Sequence, residues 1–251
     1  MRLVMLPFVG LLIGTLTVLF GGGGGLLYTG VLTACFGMAG PTAASCSLAT
    51  MWPTLLIGSY SHWKRGNLRL QYGTRMALAG VLGCLPGTLW SMRLSPSLYQ
   101  TLLAIVLLVS AAAIVRRPGK GSHTKQEPSA HCQALVLGWT GGALAGIFGM
   151  SGSPPIVGGL ACLGLGAAEM IGTSVFVLAA ISLAGFLMHW RSGMVDWTTT
   201  ALLLAGTLLG AWLAPLLLHR IRAEALEKWF RPLVTTVLVM TAFLLIRRAL
   251  F

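Results

Sequence analysis

The 251-residue chain is 56% hydrophobic and only 9% charged, with 33 glycines and a formal net charge of +12. Ordinary soluble domains carry roughly a quarter charged residues, so most of this chain cannot face water. The 17 Lys and Arg fall between apolar runs and form no continuous face. That distribution suits loops at an anionic membrane surface and argues against nucleic-acid binding.

The first apolar run covers residues 3–20 and leads into a glycine tract without an A-x-A-type cleavage site. It is therefore read as a first membrane span and not as a signal peptide. A short run at 26–36 follows the glycines directly, and longer runs lie at 42–60, 76–92 and 98–115. The stretch RRPGKGSHTKQEPSAHC (116–132) is polar and contains Pro and Gly, as a linker should. Beyond it come 133–150, a second short run at 154–165, then 170–188, 198–218 and 233–246. The long runs approach the roughly 20 residues needed to cross a bilayer, and the short ones do not. A re-entrant reading of the short runs is natural, because irregular backbone at membrane depth survives only against protein or a wet cavity. The expected fold is an all-α polytopic membrane bundle of about eight transmembrane helices.

The chain repeats itself. GTLTVLFGGGGG (14–25) superposes on GALAGIFGMSGS (142–153) at an offset of 128, and HWKRG (62–66) on HWRSG (189–193) at 127. Arg116-Arg117 answers to Arg247-Arg248. This divides the chain into a first membrane repeat (1–115), a cytoplasmic linker (116–132) and a second repeat (133–251). With eight spans and both termini cytoplasmic, 12 Lys and Arg fall inside and 5 outside, as the positive-inside rule favours. The basic loop 219–231 is the weak point of that orientation. Four spans per repeat make the copies parallel, the preferred arrangement; five would make them inverted.

The candidate site residues cluster at the breaks. Gly21, Gly22, Gly23 and Gly24 cannot sustain a helix, each costing about 1 kcal/mol against Ala. In the second half Gly149, Ser151, Gly152, Ser153 and Pro154 form the matching break, and Pro154-Pro155 stops a helix outright. Such breaks offer amides and half-helix ends that hold anions, although tight helix packing is the plainer use of glycine. Near the next helix starts Cys46-Ser47 meets Thr173-Ser174 at the offset of 127, and Ser45, Ser47, Thr173 and Ser174 add hydroxyls that either donate to an oxyanion or only cap. Glu169, an acid among apolar runs, is the proton-coupling candidate, or else a carboxylate favoured by a helix N-terminus.

Other features carry less. His62 and His189 beside Trp63 and Trp190 read as interfacial anchors, and no metal or cofactor site is expected. The five scattered cysteines form no CxxC pattern and read as apolar packers. Gly149-Met150-Ser151-Gly152 fits the GxSG of rhomboid proteases. The other half lacks that serine, however, and Pro154-Pro155 interrupts the supporting helix, so an enzyme is not expected.

GIFGMSGSPPIVGGL (146–160), GTSVFVLA (172–179) and HWRSGMVDW (189–197) resemble the second half of TauE/SafE-type sulfite exporters, and LFGGGGG with HWKRGNL a degenerate first half. The resemblance implies a multi-pass secondary transporter of the bacterial cytoplasmic membrane. It implies export of a small sulfur-containing or organic anion, of the sulfite or sulfoacetate class, with no cofactor. A passive anion channel and a non-transporting scaffold are the alternatives. Besides the anion and the bilayer, a second copy of the chain is the one further partner considered. Five glycines stand where the family often has G-x-G-G-G, and Pro41-Thr42 departs from its small-residue stretch, which leaves the substrate open.

Overall fold

The computed structural model describes residues 2–20, 24–116, 130–150, 152–220 and 223–250. These residues form ten helices and no strand. In chain order they are α1 (Arg2–Phe20), α2 (Gly24–Ala34), α3 (Gly40–Lys64), α4 (Leu70–Ser91), α5 (Pro96–Arg116), α6 (Ala130–Phe148), α7 (Ser153–Cys162), α8 (Ala167–Arg191), α9 (Trp197–Arg220) and α10 (Ala223–Leu250). The expected linker at 116–132 lies largely outside the described residues, and the basic stretch expected as a loop at 219–231 is mostly helical, in the end of α9 and the start of α10, with 221–222 outside the described residues.

The surface is inverted relative to a soluble protein. Phe8, Leu78, Leu82, Val109, Trp212 and Phe243 lie exposed, whereas Ser45, Ser47, Thr50, Thr173, Ser174 and Ser182 are buried. That is the arrangement expected when the solvent is hydrocarbon and polar groups must be satisfied internally. By length and composition, Ala168–Arg191 is the one stretch among the described residues apolar enough for a full crossing. In α3 and α4 the hydroxyls and glycines that face neighbouring helices lower the apolarity.

The repeated HWxxG motif is a helix terminator. In α3, Asn67 N–H bonds His62 O at 3.0 Å and Gly66 N–H bonds Trp63 O at 3.0 Å; in α8, Met194 bonds His189 at 3.3 Å and Gly193 bonds Trp190 at 2.9 Å. This is the Schellman cap, which needs a left-handed residue, and Gly66 and Gly193 supply it at φ +73° and +68°.

Both short helices turn back. Tyr28 of α2 donates to Gly10 O of α1 at 3.2 Å, and Gly24 abuts Thr17. Gly152 abuts Gly141, and farther along α7 Gly159 abuts Ala134 and Leu137. In each hairpin the later residue meets the earlier one, so α2 runs antiparallel to α1 and α7 to α6. The re-entrant reading of 26–36 and 154–165 accounts for this geometry.

Glycine sets the tightest seams. Gly10 and Gly14 of α1 meet Leu203 and Thr207 of α9, while Gly206 and Gly210 meet Pro7, Leu11 and Thr15. Gly80, Gly83 and Gly87 of α4 interleave with Gly138, Gly142 and Gly146 of α6 in the same way. Both pairs run parallel, and small residues four apart let the backbones approach. Each seam joins the first helix of one half to the fourth of the other, so the halves interlock.

The matched helices α3 and α8, in contrast, run antiparallel. Leu48 lies against Gly185, Gly58 against Val175, and His62 against Gly172. The contacts at the two ends of this seam repeat at the offset of 127. Ser45 Oγ donates to Met194 O at 2.7 Å where Gly172 abuts Asn67 O, and Cys46 Sγ approaches Asp196 O at 3.6 Å where Arg69 N–H donates to Thr173 Oγ1 at 3.0 Å. A parallel duplication would point α3 and α8 the same way, so the preference for parallel copies does not survive.

A side chain at Gly142 would strike the Gly80 backbone. Gly142→Val is therefore expected to lower unfolding stability in detergent by about 1–3 kcal/mol or to prevent assembly. Thermal unfolding checks this, and a variant that melts with the wild type would contradict the seam.

Candidate functional site at the paired breaks

The second break is built by glycines that no other residue can replace in place. After α6 the chain passes Gly149 at φ +63° and Met150, and it enters α7 from Gly152 at φ +58°. A Cβ at Gly149 would collide with the backbone of Ala44 on α3, and one at Gly152 with the backbone of Gly141. The break is therefore pressed between α3 and α6, and Met150 is almost wholly buried.

Ser47 ties the second break to the start of α2. Its hydroxyl lies 2.9 Å from Gly149 O and 3.4 Å from Gly25 O and has one proton to donate to them. Ser47 is fully buried, so one small side chain reaches the unwound backbone after α6 and the first turn of α2. Gly25 was missing from the expected set of site residues, although it closes the same glycine tract. Gly21, Gly22, Gly23 and Ser151 lie outside the described residues.

The remaining candidates divide. Ser45 stays with Ser47 at one end of the α3–α8 seam, and its hydroxyl bonds Thr42 O at 2.8 Å as well as Met194 O. Thr173 accepts from Arg69, and Ser174 donates to Ile171 O at 2.9 Å, both toward the other end. From the register of the seam, the two hydroxyl pairs stand about a dozen residues apart, or about 18 Å. One small anion cannot touch both pairs in this conformation. Pro154 and Pro155 open α7 and lack N–H groups, so of the three residues at 153–155 only Ser153 brings an amide donor. The first turn of α2, Gly24, Gly25 and Leu26, carries no proline and keeps all its amides.

Glu169 sits at the third position of α8. Its Oε1 accepts from Arg69 Nε at 2.8 Å and Nη2 at 2.5 Å, and its Oε2 lies 3.4 Å from Gly166 N. The last contact is the reach-back half of a capping box, whose other half is missing because Gly166 has no side chain. Arg69 was visible in the sequence only as a loop charge, with nothing to mark its partner 100 residues on. His189 is buried with Nε2 3.3 Å from Gly146 O, a position inside the bundle and not at its edge. Trp190 beside it is exposed, as an interfacial anchor is. Among the described residues no group of His, Cys, Asp and Glu is arranged to hold a metal.

A family model described as sulfite exporter TauE/SafE matches residues 6–245. The chain belongs to the TauE/SafE family. It is 28% identical over 214 residues to "Probable membrane transporter protein YdhB" of Bacillus subtilis, covering 83% of this chain and 87% of that protein. It is also 25% identical over 222 residues to a "Probable membrane transporter protein" of Xylella fastidiosa strain 9a5c, covering 85% and 84%. A protein of the same name from Xylella fastidiosa strain Temecula1 is 26% identical over 227 residues, again covering 85% and 84%. No solved structure matches. TauE/SafE membership makes this a helical membrane transport protein.

Two glycines of α7 separate strain from composition. At Gly152 an alanine meets both the left-handed backbone and Gly141, whereas at Gly158 nothing lies within 4 Å of the added Cβ. Gly152→Ala is expected to cost about 1–2 kcal/mol from backbone handedness alone. Gly158→Ala should be neutral or stabilising by up to about 1 kcal/mol. Thermal melts of the pair check this, and equal effects would contradict the assigned geometry.

Proposed function

We propose that this protein is a multi-pass secondary transporter of the bacterial cytoplasmic membrane that moves a small sulfur-containing or organic anion, of the sulfite or sulfoacetate class, by alternating access. The observation that carries the reading is the junction at Ser47, where the unwound backbone at Gly149 and the first turn of α2, from corresponding parts of a duplicated chain, come within reach of one hydroxyl. Half-helix ends and broken backbone at the interface of inverted repeats are how many secondary transporters hold their substrates. The anion is proposed to bind at the first-turn amides of α2 and the 149–153 break, with Ser45 and Ser47 on one side. Thr173 and Ser174 form the equivalent set for the opposite-facing state. The direction is proposed to be export, on the strength of the family's name.

The architecture we propose is two inverted repeats, 1–115 and 133–251, joined by the linker 116–132. Six helices cross the membrane (α3, α4, α5, α8, α9 and α10), and two hairpins enter from opposite faces, which revises the expected eight spans. The helix directions also group the charges afresh. Arg2, Arg93, Arg191, Arg247 and Arg248 share one face, and the other 12 Lys and Arg share the opposite one. The positive-inside rule then makes the richer face cytoplasmic, and both ends of the chain face outward, not inward. The basic loop 219–231 joins the cytoplasmic set, and its awkwardness disappears. Because the seams α1–α9 and α4–α6 cross between halves, we propose that the moving bodies are α1, α2, α9 and α6, α7, α4, turning about the α3–α8 seam. One half rocking against the other would tear both glycine seams.

Glu169 is proposed as the coupling carboxylate, since its protonation would release Arg69. In proteoliposomes carrying sulfite or sulfoacetate, the wild type is expected to show flux that an imposed pH gradient accelerates. Gly152→Leu should lose at least about tenfold of it while remaining inserted, and Glu169→Gln should keep flux but lose the response to the gradient. Wild-type flux from Gly152→Leu would overturn the site. Flux indifferent to the gradient in the wild type would favour a channel.

A further inference from the structure

The two ends of the α3–α8 seam match in their neutral contacts but not in their charges. At the end where Thr173 meets Arg69, the Arg69 guanidinium also grips Glu169 through Nε and Nη2 on the same oxygen. At the offset of 127 the partner positions are Asp196 and Thr42, which cannot form an ion pair. Asp196 instead turns to its own helix, accepting from Thr198 N at 3.0 Å, Thr199 N at 3.2 Å and Thr199 Oγ1 at 2.8 Å. Thr42 offers its carbonyl to Ser45. Among the described residues, one end of a pseudo-symmetric seam is thus closed by an extra ionic contact, and the other by contacts without an ion pair.

We infer that the Arg69–Glu169 pair is a one-sided latch that holds the cytoplasmic end of the seam shut and biases the transporter toward opening outward. The inference rests on the alternating-access reading and on the orientation given above. It adds a positioning role that neither the anion site nor the family assigns. A two-fold device with identical ends would visit its two states equally, so a bond present at one end only must tilt the balance by its own differential strength. The side chains of Arg69 and Glu169 are 58% and 29% exposed, and exposed pairs are weak. Weakness suits the role, because a latch that opens in every cycle must bias the equilibrium without trapping it.

The native Cys46 reports on the outer end, where it lies buried against Asp196 O. Thr173→Cys, its counterpart, reports on the inner end. With Cys35, Cys132 and Cys162 changed to serine, maleimide labelling of each reporter is followed by mass spectrometry in membrane vesicles, with buried Cys84 as the background. Adding Glu169→Gln is expected to raise the Thr173→Cys labelling rate about two- to fivefold and to lower that of Cys46. The swap Arg69→Glu with Glu169→Arg should return both rates toward their starting values. The latch is overturned if Cys46 labels in the reference protein but Glu169→Gln leaves its rate unchanged, whether or not Thr173→Cys responds, because that outcome is at most local fraying. If neither reporter labels in any variant, the seam does not open at either end, and the alternating-access reading falls together with the latch.

Discussion

Backbone that leaves the helix inside an apolar bundle must find partners there, because no water is at hand to replace them. At the second break the structure meets this demand with the Ser47 hydroxyl, which faces Gly149 O and also lies near Gly25 O in the first turn of α2. For that hydroxyl to serve both, α3 has to press onto the second break, which requires Gly149 to lack a side chain where Ala44 passes. It also requires α2 to fold back along α1, where Tyr28 bonds Gly10 O and, at 2.5 Å, Thr207 of α9. The breaks, the hairpins and the central seam are thus mutually dependent.

The glycine seams carry the same logic outward. Parallel contact between α1 and α9 and between α4 and α6 brings backbone against backbone, and each contact pairs helices from different halves. Neither half can close its own core, so the duplication yields one interlocked body with α3 and α8 at its centre. Large apolar side chains, Phe8, Leu82, Val109 and Phe243 among them, also cover the outer surface, where lipid is the solvent. Small residues at the seams and apolar side chains on the outside suit a bundle whose solvent is hydrocarbon.

Much of this was legible in the sequence. The helical class followed from the apolar runs, the breaks from consecutive glycines and Pro154-Pro155, and the short returning segments from runs too brief to cross. The HWxxG repeat was visible, but its meaning as a helix cap was not, because Schellman geometry depends on the two bonds back to His62 and Trp63 and not on the tryptophan that drew the eye. The relative direction of the halves was hidden for a specific reason. Exchanging Arg2, Arg191, Arg247 and Arg248 for Arg220, Arg222, Lys228 and Arg231 leaves the division of charge at 12 and 5 in either orientation. Only the pairing of Leu48 with Gly185 and of His62 with Gly172 breaks that tie. The separation of Ser47 from Ser174 was equally hidden, since matching positions in an antiparallel pair lie together only at its midpoint.

The central claim is that matching positions of the two repeats face opposite sides of the membrane. Arg65 and Ser192 are matched at the offset of 127, both are exposed, and both lie at the Schellman caps that end α3 and α8. Labelling Arg65→Cys and Ser192→Cys separately with a membrane-impermeant maleimide, in right-side-out and inside-out vesicles, tests the claim directly. The account predicts that Arg65→Cys reacts only from the cytoplasmic side and Ser192→Cys only from the outer side. Reaction of both from the same side would mean parallel repeats and would contradict it.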